Sequence, residues 1–159
     1  MSLMASLLLC VFSFFTCSAE PTTFEEIEEI QHRCQEENGI TNEMFLEMRK
    51  KEMILEDESN ESQKCFIDCM LVGLGMIKSG EVDVTTIMNI AQPLLDSLEG
   101  QGKEINEEYI KTEIKNCSIQ STEQHCTDGY VTWKCLHDIM VNMMHPVPEN
   151  KAASYEEGI

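Results

Sequence analysis

Apolar residues recur along the chain at intervals of three and four, and no stretch of useful length alternates apolar with polar, so the pattern predicts helices almost throughout. Thr23-x-x-Glu26 reads as a capping box. Phe24, Ile27, Ile30 and Cys34 then form one stripe, which stops at Gly39. A short second helix follows Thr41-Asn42, with Met44, Phe45 and Met48 inward. Positions 55–62 form a polar loop that contains the N-glycosylation sequon Asn60-Glu61-Ser62. A third helix is expected over about 62–77, carrying Cys65, Phe66, Cys69 and Met70. Gly73 and Gly75 near its end should loosen the last turn or admit a close neighbour. Ser79-Gly80 breaks the chain. A fourth helix starts from Asp83, a good cap, and turns Val84, Ile87, Met88, Ala91, Leu94, Leu95 and Leu98 inward, with Pro93 expected to kink or divide it. Positions 100–103 make a turn. The fifth helix, about 106–119, directs Tyr109, Ile110, Ile114 and Cys117 inward. The sixth begins after Thr127-Asp128, carries Tyr130, Trp133, Cys135, Leu136, Ile139, Met140, Met143 and Met144, and is stopped by His145-Pro146-Val147-Pro148.

The first 19 positions carry no charged side chain, and their apolar core, 7–15, has the length of a signal sequence and is too short to span a bilayer. Ser18 and Ala19 supply the small residues of a cleavage site before Glu20. The absence of Lys or Arg ahead of the core departs from the usual pattern. The expected organisation is a signal peptide at 1–19, one helical domain at 20–144 and a tail at 145–159. A secreted, extracellular chain without stable membrane insertion follows, because no second apolar stretch of spanning length is present. The 29 acidic against 11 basic residues leave a net charge of −18. That charge argues against nucleic acid or an anionic membrane as partner. Its plainest consequence is a solvated, highly soluble surface.

With the leader set aside, Cys34, Cys65, Cys69, Cys117, Cys126 and Cys135 remain, spaced C-x30-C-x3-C-x47-C-x8-C-x8-C. An even number of cysteines in a small secreted chain implies a disulfide framework. Cys65 and Cys69 stand one helical turn apart, with Cβ atoms separated by about 6 Å, beyond the reach of an unstrained bridge. One helix therefore carries two cysteines bound to two other elements, and of 15 possible pairings about 12 remain open. The chain reads as all-α: a compact bundle of about six helices locked by three disulfides. A zinc site would need a second short Cys or His pair beside C-x3-C, so neither metal nor cofactor is expected.

The six helices, the leader, the acidic balance and above all C-x3-C with the final C-x8-C resemble the insect odorant-binding and pheromone-binding protein family. The resemblance covers the whole of 20–159, with a spacing of 47 between the third and fourth cysteines that is slightly long for the family. It implies pairing of first with third, second with fifth and fourth with sixth cysteine, here Cys34–Cys69, Cys65–Cys126 and Cys117–Cys135. It also implies an apolar cavity inside the bundle and a carrier that reversibly binds small hydrophobic odorants or pheromones in sensory lymph. The ligand would be of the medium-chain alcohol, aldehyde or ester type. An olfactory receptor would be the onward partner, and the carrier a monomer or homodimer. A non-olfactory carrier of lipids or hormones is the alternative within the same fold.

The methionines Met44, Met48, Met53, Met70, Met76, Met88, Met140, Met143 and Met144 suit an adaptable apolar lining as a group, although any one of them taken singly is more readily ordinary core. Phe66, Met70, Met88, Leu95, Tyr109, Ile114, Trp133, Leu136 and Met140 are the expected ligand-binding residues. Tyr109, Tyr130 and Trp133 could each offer a hydrogen-bond donor. The tail at 145–159 holds few apolar residues and suits a lid over the pocket better than a helix filling it. The sharpest enzymatic reading is Cys135-Leu136-His137-Asp138, which partly matches the C-C-x-x-H-D motif of secreted phospholipases A2. Lys134 replaces the first cysteine of that motif, the spacing to the histidine is one short, and no calcium loop precedes it. His137 is thus read as a surface helix residue, no catalytic residue is assigned, and the chain is not expected to be an enzyme.

Overall fold

Caps and short-range turns divide the chain into its elements. A computed structural model describes residues 24–118 and 125–144. Six helices run through them: α1 Phe24–Asn38, α2 Asn42–Lys50, α3 Glu61–Gly73, α4 Val84–Gly100, α5 Glu107–Asn116 and α6 His125–Met144. The expected leader, Thr23 of the capping box and the tail lie outside the described residues.

Four helices begin on a side-chain oxygen that accepts a backbone N–H three residues on, which satisfies a donor the helix leaves orphaned. Thr41 accepts from Met44 at 3.2 Å and Asn60 from Gln63 at 3.1 Å. Asp83 accepts from Thr86 at 2.9 Å and Asn106 from Tyr109 at 3.0 Å. The sequon asparagine is thus also the cap of α3. α1 stops at Gly39, whose φ of +65° suits a residue without a Cβ.

Three boundaries differ from the sequence reading. α3 stops at Gly73 instead of running to 77, and a two-stranded antiparallel ribbon follows: β1 Ile77–Lys78 and β2 Glu81–Val82, with Ile77 opposite Val82 and Lys78 opposite Glu81. Ser79 and Gly80 both have positive φ, as the tight turn of a two-residue hairpin requires. Strands of two residues are too short to show alternation, so the pattern hid them. α4 continues through Pro93; Pro93 and Asn89, the residue whose helical donor the ring removes, both lie on the exposed face. α6 starts at His125, so Thr127 and Asp128 lie within its first turn instead of capping it.

α3 is the centre of the assembly, packed on α6 and on α1; α5 packs on α6 and α4. Two approaches are close enough to demand glycine. A Cβ on Gly73 would stand 2.5 Å from Ile30 Cγ2 of α1, and one on Gly129 of α6 would stand 2.6 Å from Asp68 Cβ of α3. The bridges follow the same contacts. Cys34–Cys69 joins α1 to α3 and Cys65–Cys126 joins α3 to α6. Cys117–Cys135 joins the end of α5 to α6. The two cysteines one turn apart on α3 therefore reach opposite neighbours. In a loop-entropy account each bridge contributes about 3–4 kcal/mol by restricting the unfolded chain. The result is an all-α bundle with a core of Cys34, Phe66, Ile67, Leu95, Ile114, Tyr130 and Leu136, all buried.

Candidate functional site

α2 ends in an unusual way. Glu52 and Met53 follow one another in the left-handed region, at φ +53° and +60°, and neither is glycine. Such a conformation costs on the order of 1–3 kcal/mol per residue and persists only where surrounding contacts hold it. Here α6 supplies them. Trp133 Nε1 donates to the carbonyl of Glu52 at 3.2 Å, and His137 Nε2 meets Glu52 Oε2 at 2.7 Å. The Trp133 and His137 rings, one turn apart, have centroids 6.3 Å from each other. His137 is only 16% exposed, held between Glu52 and Trp133, which corrects its reading as a surface residue.

This turn forms one wall of a cleft of about 340 Å³. Trp133, His137, Met140, Val141 and Met144 of α6 form the floor at helical spacing; Leu94 of α4 and Met53 complete the apolar lining, and Arg49 and Glu52 stand at the edge. The polar groups of Trp133 and Glu52 already bond each other, so the space between the elements is apolar. Three methionines make it deformable.

A second groove, of about 530 Å³, runs between α5 and α6. Ile105, Ile110, Ile139 and Met143 line it, with Tyr109 on one wall and Glu104 and Glu113 among its polar residues. The two depressions share no residue.

The residues expected to bind ligand are thus divided among three places. Trp133 and Met140 meet in the cleft. Phe66, Met88, Leu95, Ile114 and Leu136 are buried in the packed core, and Met70 is half-buried against it. Tyr109, expected inward, is 61% exposed and belongs to the α5–α6 groove. The buried stripe of α5 is Ile110, Ile114 and Cys117, and Tyr109 stands one residue, or about 100°, off it. Leu94 and Met144 belonged to the expected inward faces of their helices without being assigned to the ligand. Met53 lay in no periodic segment, and its place in the wall follows from the left-handed turn alone.

The sequence pattern of the PBP/GOBP family matches residues 18–139, and the chain belongs to that family. General odorant-binding protein 56a of Drosophila melanogaster is 27% identical over 124 residues, which cover 77% of this chain and 76% of the relative. No solved structure matches. Membership makes the chain a small-ligand carrier, in a family of secreted odorant-binding proteins and not of enzymes.

Proposed function

We propose that this chain reversibly carries small hydrophobic odorants or pheromones, of the medium-chain alcohol, aldehyde or ester type, in sensory lymph, for delivery to an olfactory receptor. The observation that carries the reading is the apolar cleft of about 340 Å³ built from Trp133, Met140, Met144, Leu94 and Met53. Its size falls at the lower end of the range for small-molecule sites, about 300–1,000 Å³, which favours a compact or medium-length ligand. The ligand's chain would lie along Trp133 and Met140. Leu95 and Leu136, chain neighbours of Leu94 and His137, would form the layer behind it, with Phe66, Met70, Met88 and Ile114 deeper in the core. Burial is worth about 0.8 kcal/mol per CH₂, or about 8 kcal/mol for a ten-carbon chain. Immobilisation reduces that sum, so micromolar affinity is the expected scale. Secretion would follow removal of the leader at 1–19, and the tail at 145–159 would cover the mouth of the cleft.

Trp133 is the single tryptophan of the chain, so its emission reports on this cleft alone. Titration with 1-octanol, octanal and octyl acetate should shift or quench that emission with saturation at micromolar concentration. If the protein takes up an apolar probe while Trp133 stays silent, the ligand site lies elsewhere. If no apolar probe is taken up at all, the carrier reading fails.

A further inference from the structure

We propose that the groove between α5 and α6 is a second ligand site, one that takes an amphiphile with an apolar body and a cationic amine head. The proposal goes beyond the carrier reading and does not rest on it, since the groove and the Trp133 cleft have no residue in common. Three features of the groove point to the same chemistry.

Its volume, about 530 Å³, suits a small molecule. Ile105, Ile110, Ile139 and Met143 give it an apolar lining without strong direction, fit for an alkyl or aryl body. Tyr109, an aromatic residue 61% exposed on a helix otherwise rich in charge, presents its ring at this groove. A ring face open to solvent attracts a cation through its quadrupole, and an amine brings the matching charge.

The electrostatics then choose the sign of the head group. Glu104 and Glu113 belong to the groove, and among the described residues neither carboxylate has an ion pair or hydrogen bond. Glu99, Glu107 and Glu108 border the adjoining depression, which shares Lys103, Glu104, Ile105 and Asn106 with the groove. Of the cations nearby, Lys111 pairs with Glu108 at 2.8 Å and Glu107 at 3.6 Å; Lys103, itself part of the lining, donates to the carbonyl of Met144 at 2.5 Å and keeps its charge, so the lining sets two carboxylates against one ammonium. Asn142 and Met143 of the lining belong to the last turn of α6, where the helix dipole is negative. The positive start of α5 is offset by Asn106, Glu107 and Glu108. The whole chain, at −18, draws cations towards it and repels anions.

The same charges argue against the chain's own tail as occupant. Positions 145–159 carry Glu149, Glu156 and Glu157 against Lys151, and would set like charge beside Glu104 and Glu113.

The test uses the full chain, isotope-labelled in its Ile, Leu and Met methyl groups, titrated at pH 7 with n-octylamine, 1-octanol and octanoate. Octylamine should shift the methyls of Ile105, Ile110, Ile139 and Met143, and its affinity should fall several-fold as ionic strength rises from about 0.02 to about 0.3 M. Glu104→Gln combined with Glu113→Gln should weaken octylamine at these methyls about fivefold or more, and Tyr109→Ala about threefold. Neither change should alter the response of Met140 and Leu94 to 1-octanol. Equal shifts of the groove methyls by octanol or octanoate would overturn the proposal, as would unchanged octylamine affinity in the double variant. Contacts from Tyr155 to these methyls in the unliganded protein would show the tail in residence and overturn it as well. Octylamine acting only at Met140 and Leu94 would remove the groove while leaving the carrier cleft; octanol acting nowhere would remove the carrier cleft while leaving the groove.

Discussion

The phenol oxygen of Tyr130 accepts the backbone N–H of Leu55 at 2.9 Å, across 75 residues of chain and out of contact with water. Tyr130 is 1% exposed, on the face of α6 that meets α3, so this one bond ties the segment between α2 and α3 to the centre of the bundle. Lys134, one turn on, lies over the Tyr130 ring at 5.1 Å and pairs with Glu58 at 2.7 Å, which holds the same segment from outside. Glu52 and Met53, the left-handed residues of the cleft wall, lie three and two positions before Leu55, so the bond also steadies the cleft.

Tyr130→Phe should therefore cost about 1–3 kcal/mol, because the Leu55 donor stays buried without a partner. Chemical denaturation with the disulfides intact measures the loss. Hydrogen exchange should show the Leu55 amide losing protection while the amides of α3 keep theirs. An unchanged Leu55 exchange rate would contradict the assignment.

Gly129→Ala tests the α3–α6 contact. In an open helix the change would stabilise by about 1 kcal/mol. Here the added methyl would stand 2.1 Å from Asp68 Oδ1 and 2.6 Å from Asp68 Cβ, and the latter is fixed to the backbone of α3. The clash should win, with a net loss of about 1–3 kcal/mol. Gly100→Ala, at a position with nothing within 4 Å, is the control and should be neutral or slightly stabilising. The two melting temperatures should move apart.

Asp83 carries a pH dependence whose sign can be worked out. Lys78, 2.8 Å away, and the Thr86 N–H hold its carboxyl below the ordinary value of 3.8. A group depressed in the folded state stabilises fully above its unfolded pKa, and that contribution is lost as pH falls through the folded value. Asp83→Ala should thus cost about 1 kcal/mol near neutral pH as a lost cap. Its difference from the parent should stay level down to about pH 4.5 and shrink below 3.8. Asp83→Asn, which keeps the cap oxygen, should lose much less at neutral pH. Denaturation curves of the three proteins between pH 7 and 2.5 decide it.

Met140→Glu places a carboxylate against Trp133 and Leu94, beside Glu52. Burying that charge under an apolar ligand is unfavourable, and the affinity for 1-octanol should fall about tenfold or more. Met140 is only half-buried, so the fold should tolerate the change. Displacement of a fluorescent apolar probe supplies the measurement, and unaltered affinity would move the ligand away from this cleft.

How much of this protein could be read from its residues follows from how far each signal reaches. Helix starts at Thr41, Asn60, Asp83 and Asn106 depend on an oxygen and an N–H three residues apart, and the stop at Gly39 on one residue's φ, so these lay within the chain's local grammar. The apolar stripes and the six-cysteine spacing were equally local, and they determined an all-α bundle in which α3 must be stapled on two sides. Tertiary structure alone decided how each helix is rotated against its neighbours. That rotation sends Phe66, Leu95, Ile114 and Leu136 into the packed core and leaves Trp133 and Met140 at the cleft. It also turns Tyr109 outward. The left-handed pair Glu52–Met53 has no sequence signature, because neither residue prefers that conformation; contacts from Trp133 and His137, more than 80 residues on, impose it. Periodicity says which face of a helix is apolar, but only packing between faces distant in sequence determines whether an apolar side chain is filled around or left beside a space.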